Sequence, residues 1–496
     1  MEHGSPEMRT AEPGSENRLR GVWDHTAGAH RTPDAGPGPR PYLRRMSVSP
    51  APQTRRQLSH SHPRVLIAGG GVSGVEAALA LRAYAGATVA IELIAPEDAF
   101  TYRPLTVAEP FGYEQALRLP LAELERTHAV VHRRAALEAV KAPTHEVVLD
   151  SGETLPYQAL VVATGARPEA WLAGSLCFTG APAVEPMRRL LARVAAGDVQ
   201  DLCFAAPPGA WTLPLYELAL LTAGWCADHG VIGTRLVLVT PEAEPLDAFG
   251  TAAARLVRNL LGDRGIRCVT EDAATAWDGR HLRLASGALV PADAVISVPV
   301  LRHGPMPGLP VDGDGFIPVD EHARVRGVDD VYATGDATDQ PIKQGGLAAQ
   351  QADVAAATIA QGLGLPIKPE PFRPVLRGLL LGGVGAAFLR RAFDAPSEAS
   401  FEALWWPPTK VAGRHLGPYL ADHHRPGGAP GLEDTSAAAR DRAELRRIAL
   451  ELAQAEAEWG DVRMALRWLR TREWLDGTLT PEMRELRADW RARSTG

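Results

Sequence analysis

The stretch PRVLIAGGGVSGVEAALALRAYA, residues 63–85, decides the fold of this chain. A short apolar run is followed directly by glycines and then by residues of helical composition, which predicts a strand, a tight turn and a helix. Gly69 allows the turn, Gly71 lets bare main chain approach a pyrophosphate, and Gly74 lets the helix pack close to the strand. A helix start offers N–H groups and about half a positive charge to that pyrophosphate. We therefore predict a dinucleotide site whose contacts in this turn are Gly69, Gly70, Gly71, Val72, Ser73 and Gly74.

The next strand lies in ATVAIELIAP, residues 87–96, and its end bears on the choice of dinucleotide. An acidic residue is expected there to bind a ribose hydroxyl, but Ala95 occupies the expected position. Glu97 and Asp98 follow two and three residues later, and either is a candidate to reach the ribose; we predict Glu97 as the contact. A solvated acidic turn is the alternative interpretation.

Two later stretches extend the pattern. LPYQALVVATGARP, residues 155–168, and GVDDVYATGDAT, residues 327–338, each read as a buried strand that ends in a glycine turn. With the first loop, these motifs resemble the two-dinucleotide-domain flavoproteins of the pyridine nucleotide–disulfide oxidoreductase superfamily, over roughly residues 63–360. The resemblance implies that FAD is bound, that the chain leaves the FAD domain at one motif and returns at the other, and that Asp336 bonds the ribityl chain. The implied contacts are Ala163, Thr164, Gly165, Gly335 and Asp336.

A helix is predicted directly after the second of these motifs, in QPIKQGGLAAQQADVAAATIA, residues 340–360. By the resemblance, its start at Gly345, Gly346 and Leu347 points at the pyrimidine end of the isoalloxazine and stabilises charge on the reduced flavin. Lys343 resembles the lysine before the flavin-facing helix of sulfide:quinone oxidoreductases, and we predict it as the catalytic residue. A solvated turn lysine is the alternative.

A second strand, turn and helix are predicted in DLCFAAPPGAWTLPLYELA, residues 201–219, but its glycines are missing. Ala210, Thr212 and Leu215 occupy the three glycine positions, and Pro214 lacks an N–H for phosphate. Thr212 is also a candidate helix cap. We predict weak NAD(P)H binding or none. The alternative is that a nicotinamide nucleotide binds by a divergent loop, with Glu217 near the ribose.

The overall layout resembles both sulfide:quinone oxidoreductase and type II NADH dehydrogenase. IAPEDAFTYRPLTVAEPF, residues 94–111, resembles the stretch after the second strand in both, and it adds Arg103 to the predicted FAD contacts. Each likeness lacks one part. Sulfide oxidation needs a cysteine late in the chain, but no cysteine follows Cys268 here. Type II NADH dehydrogenase needs the second glycine loop, which is gone. The four cysteines form no C-x-x-C pair, so neither a metal site nor a redox-active disulfide is expected.

The remaining sequence describes an interface segment and a tail. FRPVLRGLLLGG and GAAFLRRAF, residues 372–383 and 385–393, are predicted to pair as two strands, and Trp405 and Trp406 are predicted as core. In the tail, apolar residues from Leu445 to Ala455 recur at helical spacing, and Thr480-Pro481 opens a further helix.

Composition narrows the class of protein. The chain has 496 residues, of which 45% are hydrophobic, and a net charge of −7, which gives no reason to expect nucleic acid. Residues 1–60 are rich in Pro, Gly, Arg, His and Ser, and we predict that they are disordered. We expect a cytoplasmic protein without a transmembrane helix, with contact to the inner face of the membrane left open through residues 375–393.

The predicted fold class is α/β, with two Rossmann-like three-layer domains for FAD and NAD(P), a small α+β interface segment and a C-terminal helical appendage. The predicted divisions are a disordered extension (1–60), the FAD domain (61–170 and 296–365), a degenerate NAD(P)-like domain (171–295), an interface segment covering the flavin (366–425) and a helical hairpin tail (430–496).

The predicted function is an FAD-dependent oxidoreductase that passes electrons through the flavin to a quinone or another acceptor. Two alternatives are an NAD(P)H-dependent reductase of the type II NADH dehydrogenase kind and a non-enzymatic FAD-containing scaffold that acts through its helical tail. The predicted partners are a small-molecule electron donor and acceptor, with a homodimer left open.

Overall fold

The computed structural model describes residues 62–423 apart from 383, 384, 393 and 406. In the tail it describes residues 450, 451, 454, 457, 465, 469 and 481–494. The predicted disorder of residues 1–60 therefore falls outside the described residues, as do Trp406 and the apolar stripe from Leu445 to Ala455.

Ten strands form two parallel five-stranded sheets. In chain order they are β1 (Arg64–Ala68), β2 (Ala90–Ile94), β3 (Val130–Arg133), β4 (Ala159–Val162), β5 (Leu176–Cys177), β6 (Asp201–Ala205), β7 (Arg235–Val239), β8 (Arg267–Val269), β9 (Ala294–Ser297) and β10 (Val331–Ala333). The first sheet has the order β10-β4-β1-β2-β3, and the second has the order β5-β9-β6-β7-β8. In each sheet the strand before the candidate loop is central, so that the loop lies in the crevice at the carboxyl edge.

Eight α-helices are described. In chain order they are α1 (Val72–Ala85), α2 (Ala122–His128), α3 (Ala181–Ala195), α4 (Leu213–Asp228), α5 (Thr251–Asp263), α6 (Gly345–Gly362), α7 (Leu416–His423) and α8 (Pro481–Ser494). Among these described helices, none is long and apolar enough to cross a membrane.

The first sheet lies between a helical layer and a smaller sheet. Helices α1 and α6 pack against each other on one face, and small buried residues such as Ala78, Ala352 and Ala356 allow that close approach. The other face packs on an antiparallel sheet of Leu137–Lys141, Glu146–Leu149 and Thr154–Pro156. The chain leaves this sheet after β4 and returns to it at β10, as the resemblance implies.

The second sheet repeats this arrangement. Helices α3, α4 and α5 cover one face. The antiparallel strands Ala274–Trp277, His281–Leu284 and Leu289–Pro291 cover the other. Outside these layers, the short strands Arg167–Glu169 and Val300–Arg302 pair where the chain passes between the two sheets, and Ala99–Thr101 pairs with Arg118–Pro120. The predicted α/β class with two Rossmann-like three-layer domains is therefore confirmed.

The segment after α6 contacts both domains. Val375–Leu381 pairs with Ala386–Ala392, as predicted, and Glu398–Ser400 adds a third antiparallel strand. A Cβ on Gly378 would lie 2.7 Å from the Leu213 side chain, so this small sheet packs directly on the start of α4. Helix α7 packs on the first domain, where the Glu76 carboxylate accepts the backbone N–H groups of His415 at 3.0 Å and Leu416 at 2.5 Å.

The described part of the tail is helical. Helix α8 begins at Pro481, as predicted from Thr480-Pro481. Ala465 and Leu469 are buried with Met483 and Trp490, so the described tail residues share an apolar cluster of their own.

Candidate functional site

A large cavity of about 1210 Å³ lies where the two domains and the interface segment meet. It exceeds the 300–1,000 Å³ range of ordinary small-molecule sites, which suits an extended dinucleotide together with a second, smaller molecule. Its lining includes these of the predicted residues: Gly69, Gly70, Gly71, Val72, Ser73, Glu97, Arg103, Ala163, Thr164, Gly165, Asp336, Lys343 and Gly345.

The first glycine loop has the geometry that a diphosphate requires. Gly69 has a φ of +121°, and a Cβ there would lie 2.1 Å from the Ala163 carbonyl oxygen. A Cβ on Gly74 would lie 1.8 Å from the Gly69 carbonyl oxygen, so strand and helix approach too closely for any other residue. A Cβ on Gly71 would meet no described atom within 4 Å, and Gly71 lines the cavity. The space above Gly71 is thus cavity, which fits a bound diphosphate.

Four predicted contacts lie outside the cavity lining. Gly74 and Gly335 allow close packing, since a Cβ on Gly335 would lie 2.8 Å from the Ser73 hydroxyl oxygen. Gly346 lies against the Gln344 side chain, and the backbone N–H of Leu347 donates to Gln344 Oε1 at 2.8 Å. The start of α6 is therefore capped by Gln344, which lines the cavity in front of it, and the sequence analysis missed this residue.

Asp336 and Lys343 both line the cavity, and their charges influence each other. Burial raises the pKa of Asp336, while the charges of Lys343 and Arg103 oppose that rise. Burial lowers the pKa of Lys343 to about 8, against the attraction of Asp336 and Asp339. The ammonium donates to the Thr338 carbonyl and lies 3.5 Å from the centre of the Phe316 ring. Lys343 is thus half-buried and held by these two contacts.

Glu97 is an exposed acidic residue of the candidate site. It lies three residues beyond β2, lines the cavity, and accepts no hydrogen bond from the described part of the chain. Its carboxylate is free to accept a hydroxyl, so the predicted ribose contact and the solvated acidic turn both remain compatible with this position.

The second loop is filled by side chains. Leu215 is fully buried in the domain core, and its N–H donates to the Thr212 carbonyl at 2.8 Å. Thr212 is the residue before α4, but its hydroxyl does not cap the helix as predicted. It donates instead to Glu242 Oε1 at 2.8 Å. The Trp211 ring packs 5.6 Å from the Phe249 ring, on the cavity side of the loop.

Glu217 forms an ion pair that the sequence analysis did not foresee. Its side chain is 0% exposed, and both carboxylate oxygens lie 2.7 Å from Nζ of Lys410, which is 5% exposed. Glu217 Oε1 also accepts the backbone N–H of Leu381 at 2.9 Å. Burial raises the pKa of Glu217, and Lys410 opposes the rise. Both residues line the cavity. Because the Glu217 carboxylate already binds Lys410 and the Leu381 N–H, it is not free to accept a ribose hydroxyl.

The four cysteines are free thiols. Burial raises the pKa of Cys203 and of Cys268 to about 12, and it also raises the pKa of Cys177. Thiols with raised pKa values are poor nucleophiles at neutral pH. None of the four thiols lines the cavity.

A family model described as pyridine nucleotide-disulphide oxidoreductase matches residues 63–191 and 218–358, which together make up more than half of the chain. The stretch between them, 192–217, contains β6 and the altered second loop.

Among curated proteins, the demethylphylloquinone reductase NdbB of Synechocystis sp. is 26% identical over 367 residues, covering 66% of this chain and 87% of that protein. The ferredoxin–NAD(+) reductase component of the p-cumate 2,3-dioxygenase system of Pseudomonas putida is 28% identical over 293 residues, covering 56% and 68%. Among solved structures, the sulfide:quinone oxidoreductase of Aquifex aeolicus superposes with a TM-score of 0.61 at 20% identity, covering 68% of this chain and 86% of that one.

Proposed function

The chain belongs to the pyridine nucleotide-disulphide oxidoreductase family, and we propose that it carries electrons from a small-molecule donor through FAD to a quinone or a similar acceptor. It is an FAD-dependent oxidoreductase rather than a scaffold that merely contains a flavin. Under this proposal the second domain does not use NAD(P)H. Its sheet and helices hold the wall of the cavity in place.

The asymmetry of the two loops carries this proposal. Bare main chain borders the cavity at Gly71, whereas the matching position of the second domain holds Thr212, whose hydroxyl is bonded to Glu242. The family match is interrupted over 192–217, the stretch that contains this loop. A diphosphate needs exposed N–H groups at a helix start, and Pro214 has no N–H to offer.

The residues of the first domain suit FAD. Bound FAD supplies two-electron chemistry to a site that lacks a reactive thiol. The main chain of Gly69 to Ser73 would hold the diphosphate, and Asp336 would accept a hydroxyl from the sugar chain. Lys343 Nζ, with a pKa of about 8, is a group that can hold a proton beside that chain at neutral pH.

The acceptor is proposed from relatives and from the cavity. NdbB is by name a demethylphylloquinone reductase, which is a quinone-reducing activity. In this chain the cavity wall formed by the second loop and the interface segment includes the apolar residues Trp211, Leu213, Pro214 and Leu379. A flat apolar ring fits such a wall better than a charged nucleotide.

One relative favours a second candidate function. The Pseudomonas putida protein is by name a ferredoxin–NAD(+) reductase, so an NAD(P)H-dependent reductase with a divergent second loop is the alternative. The proposed assignment and this alternative predict opposite results in a single assay.

Anaerobic reduction of the purified holoenzyme tests both. We expect NADH and NADPH to leave the flavin absorbance unchanged over minutes, while dithionite bleaches it and a short-chain quinone restores it within seconds. Dithionite is the control for flavin that can be reduced at all. Rapid bleaching by either nucleotide would establish the alternative, and failure of quinones to reoxidise the reduced flavin would remove the quinone from the proposal.

A further inference from the structure

The two domains carry the same turn at the same place. β2 is followed by Ala95-Pro96-Glu97, and β7 is followed by Thr240-Pro241-Glu242. Each glutamate is the third residue beyond the strand that follows the loop and helix of its domain, and each follows a proline. An acidic residue at the end of this strand is the ordinary ligand of a nucleotide ribose.

The environments of the two glutamates differ completely. Glu97 is exposed and lines the cavity. Glu242 accepts three hydroxyl hydrogen bonds, each 2.8 Å long: Oε1 from Thr212, and Oε2 from Tyr216 and Thr240. Those three hydroxyl-bearing residues are themselves buried, with exposures of 5%, 0% and 0%. Within the described part of the chain, the cavity lining does not reach Glu242.

The donors at Glu242 are the chemical group that a ribose would present. A carboxylate offers about four lone-pair positions, and hydroxyls of the chain occupy three of them. Thr212 stands where the first domain has Gly71, so the residue that replaces the phosphate-binding glycine also bonds Glu242, the counterpart of Glu97. A nucleotide would have to break three hydrogen bonds that the chain already makes to this carboxyl group.

We infer that the hydroxyls of Thr212 and Tyr216 replace those of a nucleotide ribose at Glu242, closing the second domain to any ligand with an adenosine diphosphate group. This inference rests on the proposed function, and it adds that the electron donor is a compact molecule without an adenosine diphosphate group that enters the shared cavity. The altered loop and helix then supply hydroxyls in place of those of the ligand, in addition to lacking the glycines of a nucleotide-binding loop.

Binding of ADP-ribose to the FAD-loaded protein, measured by calorimetry, tests the inference. FAD already occupies the first domain, and ADP-ribose has no nicotinamide, so the result does not depend on which molecule reduces the flavin. We expect the wild-type protein to bind ADP-ribose more weakly than about 1 mM. Saturable micromolar binding would overturn the inference, whereas a failed flavin assay would overturn only the proposed function.

The variant Thr212→Gly/Tyr216→Phe removes both hydroxyls and leaves the fold contacts in place. Glycine is accepted before a helix, and phenylalanine keeps the buried ring. We expect this variant to bind ADP-ribose at least about tenfold more tightly than wild type, the range of one hydrogen bond to a charged group. Adding Glu242→Gln should cancel the gain. A folded double variant with no gain would overturn the inference.

Thr222→Ala is the matched control. Thr222 is a buried hydroxyl residue on the same helix, but its hydroxyl donates to the Leu218 carbonyl and not to Glu242. It should leave ADP-ribose binding at the wild-type level. If the double variant does not retain FAD, the single variant Thr212→Gly is measured instead, with a gain of about threefold expected and no gain counting against the inference.

Discussion

The loop at Gly69 to Gly74 and the loop at Ala210 to Leu215 share the same strand, turn and helix, but the first borders open cavity and the second is filled by side chains. In the first, two glycines are enforced by carbonyl oxygens within about 2 Å of a would-be Cβ, and the third borders open cavity. In the second, the corresponding positions carry side chains, and one of them bonds the chain's own carboxylate. The same strand, turn and helix thus support either a ligand or a closed core.

The glutamates one turn into the helices extend this comparison. Glu76 on α1 accepts two backbone N–H groups from the start of α7, and Glu217 on α4 accepts a backbone N–H and the Lys410 ammonium. Both carboxylates therefore anchor the segment after α6 to its two domains. A position shared by both nucleotide-binding folds can be retained for joining domains, even where the nucleotide site itself is closed.

The largest effect is expected on FAD content, when a side chain is added to the first glycine loop. Gly71→Val adds atoms to a space where no described protein atom lies within 4 Å, so the fold is kept while a diphosphate is excluded. We expect FAD content to fall from about one per chain to below about 0.1, measured by flavin absorbance of the purified protein.

Gly262→Val controls for the added bulk. Gly262 is an exposed residue of α5, and a Cβ there also meets nothing within 4 Å. It should purify with a full complement of FAD. A yellow Gly71→Val protein with normal FAD content would show that the open loop is not where the diphosphate binds.

The next effect concerns the buried ion pair of the second domain. Lys410→Met leaves the Glu217 carboxylate buried without its cation, and breaking such a pair costs about 3–5 kcal/mol of unfolding free energy. The double variant Lys410→Met/Glu217→Met should recover most of that loss, because two apolar side chains then fill the same volume.

Urea unfolding, followed by far-UV circular dichroism, compares the two proteins. Arg414→Met is the control, since Arg414 is an exposed cation of the same segment whose partner Asp353 lies on α6. It should change stability by less than about 1 kcal/mol. Equal losses in the single and double variants would mean that Lys410 acts through packing rather than through its charge.

Much of the fold, and part of the site, could be predicted from local sequence. The run Arg64–Ala68 followed by glycines predicts β1, the turn and α1, because strand and helix periodicity and backbone freedom are local properties. The pairing of Val375–Leu381 with Ala386–Ala392 follows from two apolar runs around a glycine turn in the same way. Several of the predicted contacts also line one cavity, since parallel strands end at the same edge.

The contacts that close the second domain depend on tertiary packing. Lys410 is 193 residues from Glu217, and neither periodicity nor composition brings them together. The helix cap by Gln344 was missed because glycines after it looked like an open helix start. One signal was present, however: the repeat of Pro-Glu after β2 and β7 marks Glu97 and Glu242 as counterparts.

An effect of intermediate size is expected in the pH dependence of the unfolding free energy, which distinguishes Glu242 from a solvent-exposed carboxylate. Burial raises the pKa of Glu242 from 4.5 to about 7, although three hydroxyl donors partly oppose the rise. The folded protein therefore holds this proton more tightly than the unfolded chain. The resulting stability is fully present below about pH 4.5, decreases as the pH rises, and is lost above pH 7, a change of at most about 3 kcal/mol.

Glu242→Gln removes that titration. We expect the unfolding free energy of wild type, relative to this variant, to decrease by up to about 3 kcal/mol between pH 5 and pH 8 in urea titrations. Thr222→Ala, which changes no titratable group, should give a difference from wild type that is constant over the same range. Parallel curves for wild type and Glu242→Gln would indicate that Glu242 is solvated and open.

The smallest effect is expected for the FAD affinity of a variant at Glu97, the exposed counterpart of Glu242. Glu97→Gln replaces an exposed, cavity-lining carboxylate by an amide of the same shape, so only the charge of a proposed ribose contact is lost. We expect the dissociation constant of FAD from the apoprotein to rise about three- to tenfold, measured by quenching of flavin fluorescence. Asp98→Asn, next to it and paired with Arg134, should leave FAD affinity unchanged, as should Glu242→Gln. If Glu97→Gln matches these two controls, Glu97 is a solvated turn residue, and the two domains differ in their loops alone.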